Sequence, residues 1–470
     1  MQDLTKEPRL SKKQYLVVAS MLFGLFFGAG NLIFPLHLGQ IAGHNWLPAA
    51  LGFLVTAVVL PLLSVLAISA VHAEGVYDVG RPLGRWFALL FMVLIHFTIG
   101  PLFGTPRTAT VSFTTGVAPL LPKSWETGGL LLFSALFFLA AFLLSYKERK
   151  ITSAVGKVLN PVFLVLLFFL FFVAYSHALG NPNAQAATTA YRNGGMSFFN
   201  GFLQGYNTMD ALAGLAFGVT VVTAVRGLGL KREGSVAKVT AKAGVMATGA
   251  IGVVYLFLIV LGSMSVSHFK PSAEGGTAFN QVVTYYFGTA GHALLATLLT
   301  VTCLTTAVGL VAAFAQDFHK HFPVLSYVQW LALMAFASFL TANFGLETII
   351  AWSTPMLMFL YPFCMVLILL SVTAHWFGRD PVVYTLTVGF TTIPAVLDMV
   401  ASFPAVVSQS SVGVALTHFR DSFLPFASLG MGWVVPAVVG LVLGLGFHFA
   451  SQRRQAGAAT SNDVQPDNAD

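Results

Sequence analysis

The sequence predicts an all-α membrane protein of about twelve transmembrane helices, and two observations carry that class. Only 9% of the residues are charged and 56% are hydrophobic, whereas a soluble domain carries about 25% charged residues to solvate its surface. The apolar residues also run on too long for a globular core. No Asp, Glu, Lys or Arg occurs from Gln14 to Ala73 or from Gly275 to Gln316. A helix crossing a bilayer needs roughly 20 apolar residues, so each stretch holds two spans and a hairpin.

Apolar runs set against charged and Gly/Pro-rich breaks give spans at 14–37, 47–72, 86–113, 128–146 and 151–176. A second set follows at 196–225, 240–266, 286–316, 324–342 and 346–374, then two more at 382–400 and 425–450. Residues 401–424 have room for a re-entrant piece. The first run begins at Tyr15 behind a basic start and is longer than the apolar region of a cleavable signal, so 15–37 reads as a retained helix. Residues 1–13 read as a cytoplasmic N-terminal segment, and the polar 451–470 as a disordered cytoplasmic tail.

Charge sets the orientation, because Lys and Arg accumulate in cytoplasmic loops. With the N-terminus inside, the inner segments hold Lys12, Lys13, Arg81, Arg85, Lys147, Arg149, Lys150, Lys157, Arg226, Lys231, Arg232, Lys320, Arg379 and Arg453, among others. The outer loops hold Lys123, Arg192, Lys270 and Arg420, and Arg107 stays at membrane depth. Basic loops beside an anionic leaflet account for the net charge of +7 without any nucleic acid. Cys303 and Cys364 both fall inside spans, which excludes a disulfide framework or thiolate metal cluster. There is no zinc-binding HExxH, no phosphate-binding GxxxxGK[ST] loop and no soluble nucleotide domain. An enzyme is therefore not expected, nor is an organic cofactor or an obligate protein partner. Short inner loops disfavour a sensor.

Two spans are weakened at corresponding places. The first carries Gly24, Gly28, Ala29, Gly30 and Asn31, with Pro35 beyond. The sixth carries Gly195, Gly201 and Gly205, then Tyr206-Asn207-Thr208-Met209-Asp210, then Gly214 and Gly218. Each Gly costs about 1 kcal/mol relative to Ala in a helix interior, and non-helical backbone survives at membrane depth only where it is buried in protein or lines a cavity. Close helix packing explains any single glycine. Two broken helices five spans apart, in halves that are inverted relative to each other, point instead to a midplane site in a secondary transporter.

Four segments then resemble a known family: LFGLFFGAGNLIFP at 22–35, GPLFGTPRTATVSF at 100–113, GFLQGYNTMDALA at 201–213 and CLTTAVGL at 303–310. They are similar to the motifs of the bacterial branched-chain amino acid carriers (system II, LIVCS type). Gly104 and Thr105 before Pro106, and Thr114 after Phe113, depart from that pattern. The resemblance implies a LeuT-like fold of five-plus-five inverted repeats with helices 1 and 6 broken. In that scheme 14–180 and 190–375 are the repeats, and 380–450 supplies two extra helices. It also implies uptake of leucine, isoleucine and valine across the bacterial cytoplasmic membrane, coupled to sodium.

Laid on that fold, the carbonyls of Gly24, Phe27 and Thr302 and the hydroxyls of Thr305 and Thr306 are the expected sodium ligands. Thr302, Thr305 and Thr306 share one helix face, and back-bonding to a carbonyl one turn earlier is the competing use of such hydroxyls. The substrate carboxylate is assigned to the free N–H groups at Gly28-Ala29-Gly30, with Asn31 nearby. Carbonyls at Tyr206, Asn207 and Thr208 are assigned to the ammonium. Asp210, the one acid in mid-sixth span, either meets the ammonium or pairs with Arg107. Phe26 and Tyr206 are the aromatic candidates for the side-chain pocket. His96, alone in mid-span, is either a hydrogen-bonded buried histidine or a proton relay, and proton coupling is the alternative to sodium.

Overall fold

A computed structural model describes residues 10–147 and 160–462, and all of their regular structure is helical. The readings on 1–9, on Arg149, Lys150 and Lys157, and on 463–470 lie outside those residues. The first helix starts at Lys12 because Ser11 caps it: its hydroxyl accepts from the Gln14 N–H, and the Gln14 side chain accepts from the Ser11 N–H, which satisfies two end donors reciprocally.

Among the described residues, eight helices are long and apolar enough to cross a membrane, or nine if a bent pair counts as one. Helices occupy each of the stretches read as spans. The first comprises α1 (Lys12–Phe26) and α2 (Ala29–Ala42). The second comprises α3 (Trp46–Leu54) and α4 (Leu60–Ala70). A short helix, α5 (Val76–Gly80), leads into α6 (Arg85–Phe97) and α7 (Gly104–Val111), which make the third. Next come α8 (Glu126–Ser145) and α9 (Asn160–Ser176). The sixth is split into α10 (Gly194–Gln204), α11 (Asp210–Ala216) and α12 (Gly218–Arg226), with a 44° bend before the last piece. Then follow α13 (Glu233–Ser265), α14 (Gly275–His321), α15 (Tyr327–Ala342), α16 (Leu346–Val372) and α17 (Pro381–Ser402). Helix α14 is kinked at Gly288. Residues 401–424 form two short helices, α18 (Ala405–Ser408) and α19 (Ser411–Phe423), and α20 (Val434–Asn462) ends the described chain. It carries helix as far as Asn462 into the stretch read as a disordered tail.

The buried core gathers around α1, α2, α11 and α14. Leu131, Leu132, Leu136, Leu139 and Leu143 of α8 stand exposed instead. An apolar face of that size is unstable in water and belongs against lipid. Close backbone approach sets the inner packing. A Cβ on Gly39 of α2 would stand 1.9 Å from the Ile259 carbonyl oxygen of α13, and one on Gly262 of α13 1.9 Å from that of Leu36.

Candidate functional site

The first break is short. Phe27 (ψ 93°) and Gly28 (φ −115°, ψ −161°) are extended between α1 and α2. Asn31 then caps the new helix by accepting from the Gly28 N–H at 2.9 Å. The N–H groups of the next turn have no partner within the helix. A Cβ at Gly28 would come within 3.0 Å of the Thr306 hydroxyl, so α14 stands directly behind the break.

The second break falls inside the Tyr206-Asn207-Thr208-Met209-Asp210 stretch that the sequence singled out, not at the glycines around it. Gly201 and Gly205 serve packing: a Cβ at either would strike the Ala49 carbonyl or the Thr56 hydroxyl. Helix is interrupted at Met209, in the left-handed region (φ 60°, ψ 10°), after a turn of 3-10 helix over Gly205–Thr208.

Between the breaks lies a cavity whose wall includes Phe26, Gly28, Gly30, Asn31, Arg107, Thr208 and Asp210 among the expected residues. Leu25, Ile99, Thr108, Met209 and Leu310 complete much of its apolar side. It is contracted, with about 30 Å³ open to the centres of water-sized spheres, room for on the order of two waters.

Asp210 is buried and anchored. Its Oδ2 accepts from Asn31 Nδ2 at 2.6 Å and from the Tyr255 hydroxyl at 2.9 Å, and Asn31 also donates to that hydroxyl. Arg107 does not pair with it: no ion pair within 4.0 Å joins them among the described residues. Arg107 Nη2 donates instead to the Asn207 carbonyl at 2.6 Å, which withdraws one of the carbonyls assigned to the ammonium. Tyr206 is not on the cavity wall. It stacks on Tyr361 at 4.1 Å between ring centres, because the unwound turn points it toward α16. Asn207 likewise turns its side chain to Gln204.

The five residues expected to hold sodium converge. Thr302 Oγ1 lies 3.1 Å from the Phe27 carbonyl oxygen, while Thr305 Oγ1 and Thr306 Oγ1 lie 3.1 and 3.2 Å from that of Gly24. Thr305 also back-bonds to the Thr302 carbonyl at 2.6 Å. The hydroxyls thus stitch α14 to the broken first helix, and the same oxygens form a cluster suited to a hard cation.

Sequence reasoning missed three partners. Tyr255 lies in an apolar run with no local motif. Asp317 of α14 bonds His96 of α6 at 2.7 Å, with both side chains buried, so His96 is a paired histidine. Glu74 bonds Lys320 at 2.6 Å and Arg226 at 2.9 Å. These hydrogen bonds to Lys320 and Arg226 hold its carboxyl below the usual carboxylate range. Asp398 is fully buried and meets Arg420 at 3.4 Å.

A family model described as "Branched-chain amino acid transport protein" matches residues 11–450. The chain is 38% identical over 433 residues to the branched-chain amino acid permease BrnQ of Lactobacillus delbrueckii subsp. lactis, covering 92% of this chain and 96% of that one. It is 39% identical over 437 residues to the permease BraB of Bacillus subtilis (strain 168), covering 93% and 95%. In three dimensions it is similar to Mhp1, a nucleobase-cation-symport-1 family transporter solved in a closed conformation with bromovinylhydantoin bound. The TM-score is 0.58 at 12% identity, over 92% of this chain and 91% of that one. That likeness gives the fold, the LeuT type. The relatives are permeases rather than enzymes, and with two broken helices around a buried charged cavity, this multi-span membrane protein belongs to the branched-chain amino acid transport family.

Proposed function

We propose that the chain imports leucine, isoleucine and valine by sodium symport with alternating access. Twelve crossings, two inverted five-helix repeats and both ends in the cytoplasm of a bacterium complete the reading. The observation that carries it is the cavity between the broken helices, backed directly by the threonine–carbonyl oxygen cluster. Sodium among Gly24, Phe27, Thr302, Thr305 and Thr306 would hold α14 against the broken first helix. The Gly28 N–H is taken by Asn31, so the free N–H groups at Ala29 and Gly30 would then face the substrate carboxylate, with Asp210 on the ammonium side. Leu25, Phe26, Ile99, Met209 and Leu310 form an apolar wall that discriminates between aliphatic side chains only weakly, at about 1–3 kcal/mol per methylene. Overlapping affinity for the three amino acids follows.

The test is uptake of each labelled amino acid into proteoliposomes under an inward sodium gradient or a pH gradient. Accumulation with sodium alone supports the reading, and no accumulation of any of the three sinks it. The buried His96–Asp317 pair favours one second reading, proton coupling, in which the pH gradient alone drives uptake.

A further inference from the structure

We infer that Arg107 binds the α-carboxylate of the transported amino acid through Nη1, so that the carboxylate adds a ligand-borne bridge between the two broken helices beside the Asn31–Asp210 bond. The inference rests on the amino-acid reading of the cavity.

The guanidinium is 4% exposed and lies on the cavity wall. One arm is committed: Nη2 donates to the Asn207 carbonyl in the unwound turn of the sixth span. The face of the Phe34 ring lies 5.1 Å from Cζ. The other arm is not committed, because Nη1 is buried and has no hydrogen-bond partner among the described residues. A guanidinium cannot shed its charge as a lysine can, so a buried Nη1 calls for an acceptor that arrives with the ligand.

The first turn of α2, a helix of 14 residues, approaches the same point. A Cβ on Gly30 would sit 3.1 Å from Arg107 Nη2. The turn therefore presents its unpaired N–H groups and its positive end beside the guanidinium. A carboxylate has two oxygens for these two sets of donors. Asp210, the other charge on the wall, is held by Asn31 and Tyr255 and leaves Nη1 free. One fixed cation and one fixed acid on a small cavity match a zwitterion better than a simple anion. Because Nη2 grips the sixth span while Nη1 meets a ligand at the first, the ligand's carboxylate bridges the two.

The experiment measures binding of labelled leucine to purified wild-type, R107Q and R107K protein. Unlabelled leucine, leucinamide and leucinol compete, and thermal melting confirms folding. R107Q should weaken leucine by roughly 10–100-fold, the loss of one charged hydrogen bond. It should leave the two carboxylate-free competitors within threefold, so that discrimination collapses, and R107K should recover part of it. Leucine affinity within threefold of wild type in R107Q overturns the inference. So does an equal loss for all three ligands, which would make Arg107 a brace for the Asn207 carbonyl. If the wild type ignores branched-chain substrates but binds another amino acid in an Arg107-dependent way, the substrate reading fails and this one stands. A well-melting wild type that binds no amino acid overturns both.

Discussion

Removing the Tyr255 hydroxyl would take a donor from Asp210 and an acceptor from Asn31, both of them buried. Y255F should therefore destabilise the protein by about 1.5–3 kcal/mol, the range for a hydrogen bond to a charged group. The loss is read as a lower melting temperature together with weaker leucine binding. The threonines of α14 act differently. Replacing Thr305 and Thr306 together by valine keeps the shape and removes two of the oxygens around the Gly24 carbonyl. The double variant should lose the sodium dependence of uptake, and sodium-driven uptake unchanged in proteoliposomes would sink the assignment. These residues were legible in the sequence because a helix places i, i+3 and i+4 on one face. Tyr206 was misread because its direction is set by stacking on Tyr361, a contact 155 residues away that no local pattern encodes.

At the scale of the helix, α2 and α13 cross where neither Gly39 nor Gly262 has room for a side chain. G262A must push the helices apart or strain them, and overpacking of this kind typically costs about 1–3 kcal/mol. Reduced melting temperature with unchanged span topology is the expected result. A second element-level contact joins the segment before α5 to the ends of α12 and α14 through Glu74, Arg226 and Lys320. Because these partners hold the Glu74 carboxyl below its ordinary range, its contribution is present at neutral pH. It is lost as pH falls through that depressed value. Both partners are more than 40% exposed, so each pair contributes no more than about 1 kcal/mol. The protection factors for hydrogen exchange over residues 73–78, taken against the intrinsic rate at each pH, should fall in acid below the normal carboxylate range, and E74Q should show the lower protection already at neutral pH. The spans themselves were readable from charge-free runs. So was the 206–210 stretch that holds the second break, though not that Met209 would be its left-handed residue, because a methionine carries no signature of that conformation.

For the whole molecule, the proposed symport, taken with one sodium ion per amino acid, sets a ceiling on accumulation. One charge moving through ~100 mV supplies about 2.3 kcal/mol, which sustains roughly fiftyfold accumulation of substrate. Uptake at equal sodium on both sides should therefore still reach about that ratio under an imposed inside-negative potential. It should fall to unity when an ionophore collapses the potential. The membrane class and the family were accessible from composition and four motifs spread along the chain. Long-range polar pairing was not, as with His96 and Asp317, 221 residues apart: each looks solitary until the third and eighth spans are packed side by side.

The methionine at the second break carries a cost that glycine would avoid. Holding Met209 in the left-handed region costs about 1–2 kcal/mol, yet its side chain forms part of the cavity wall. Glycine would relieve that strain but remove a side chain that is 3% exposed, at about 2–5 kcal/mol, so M209G should melt lower than the wild type and leave a hole in the wall of the chamber.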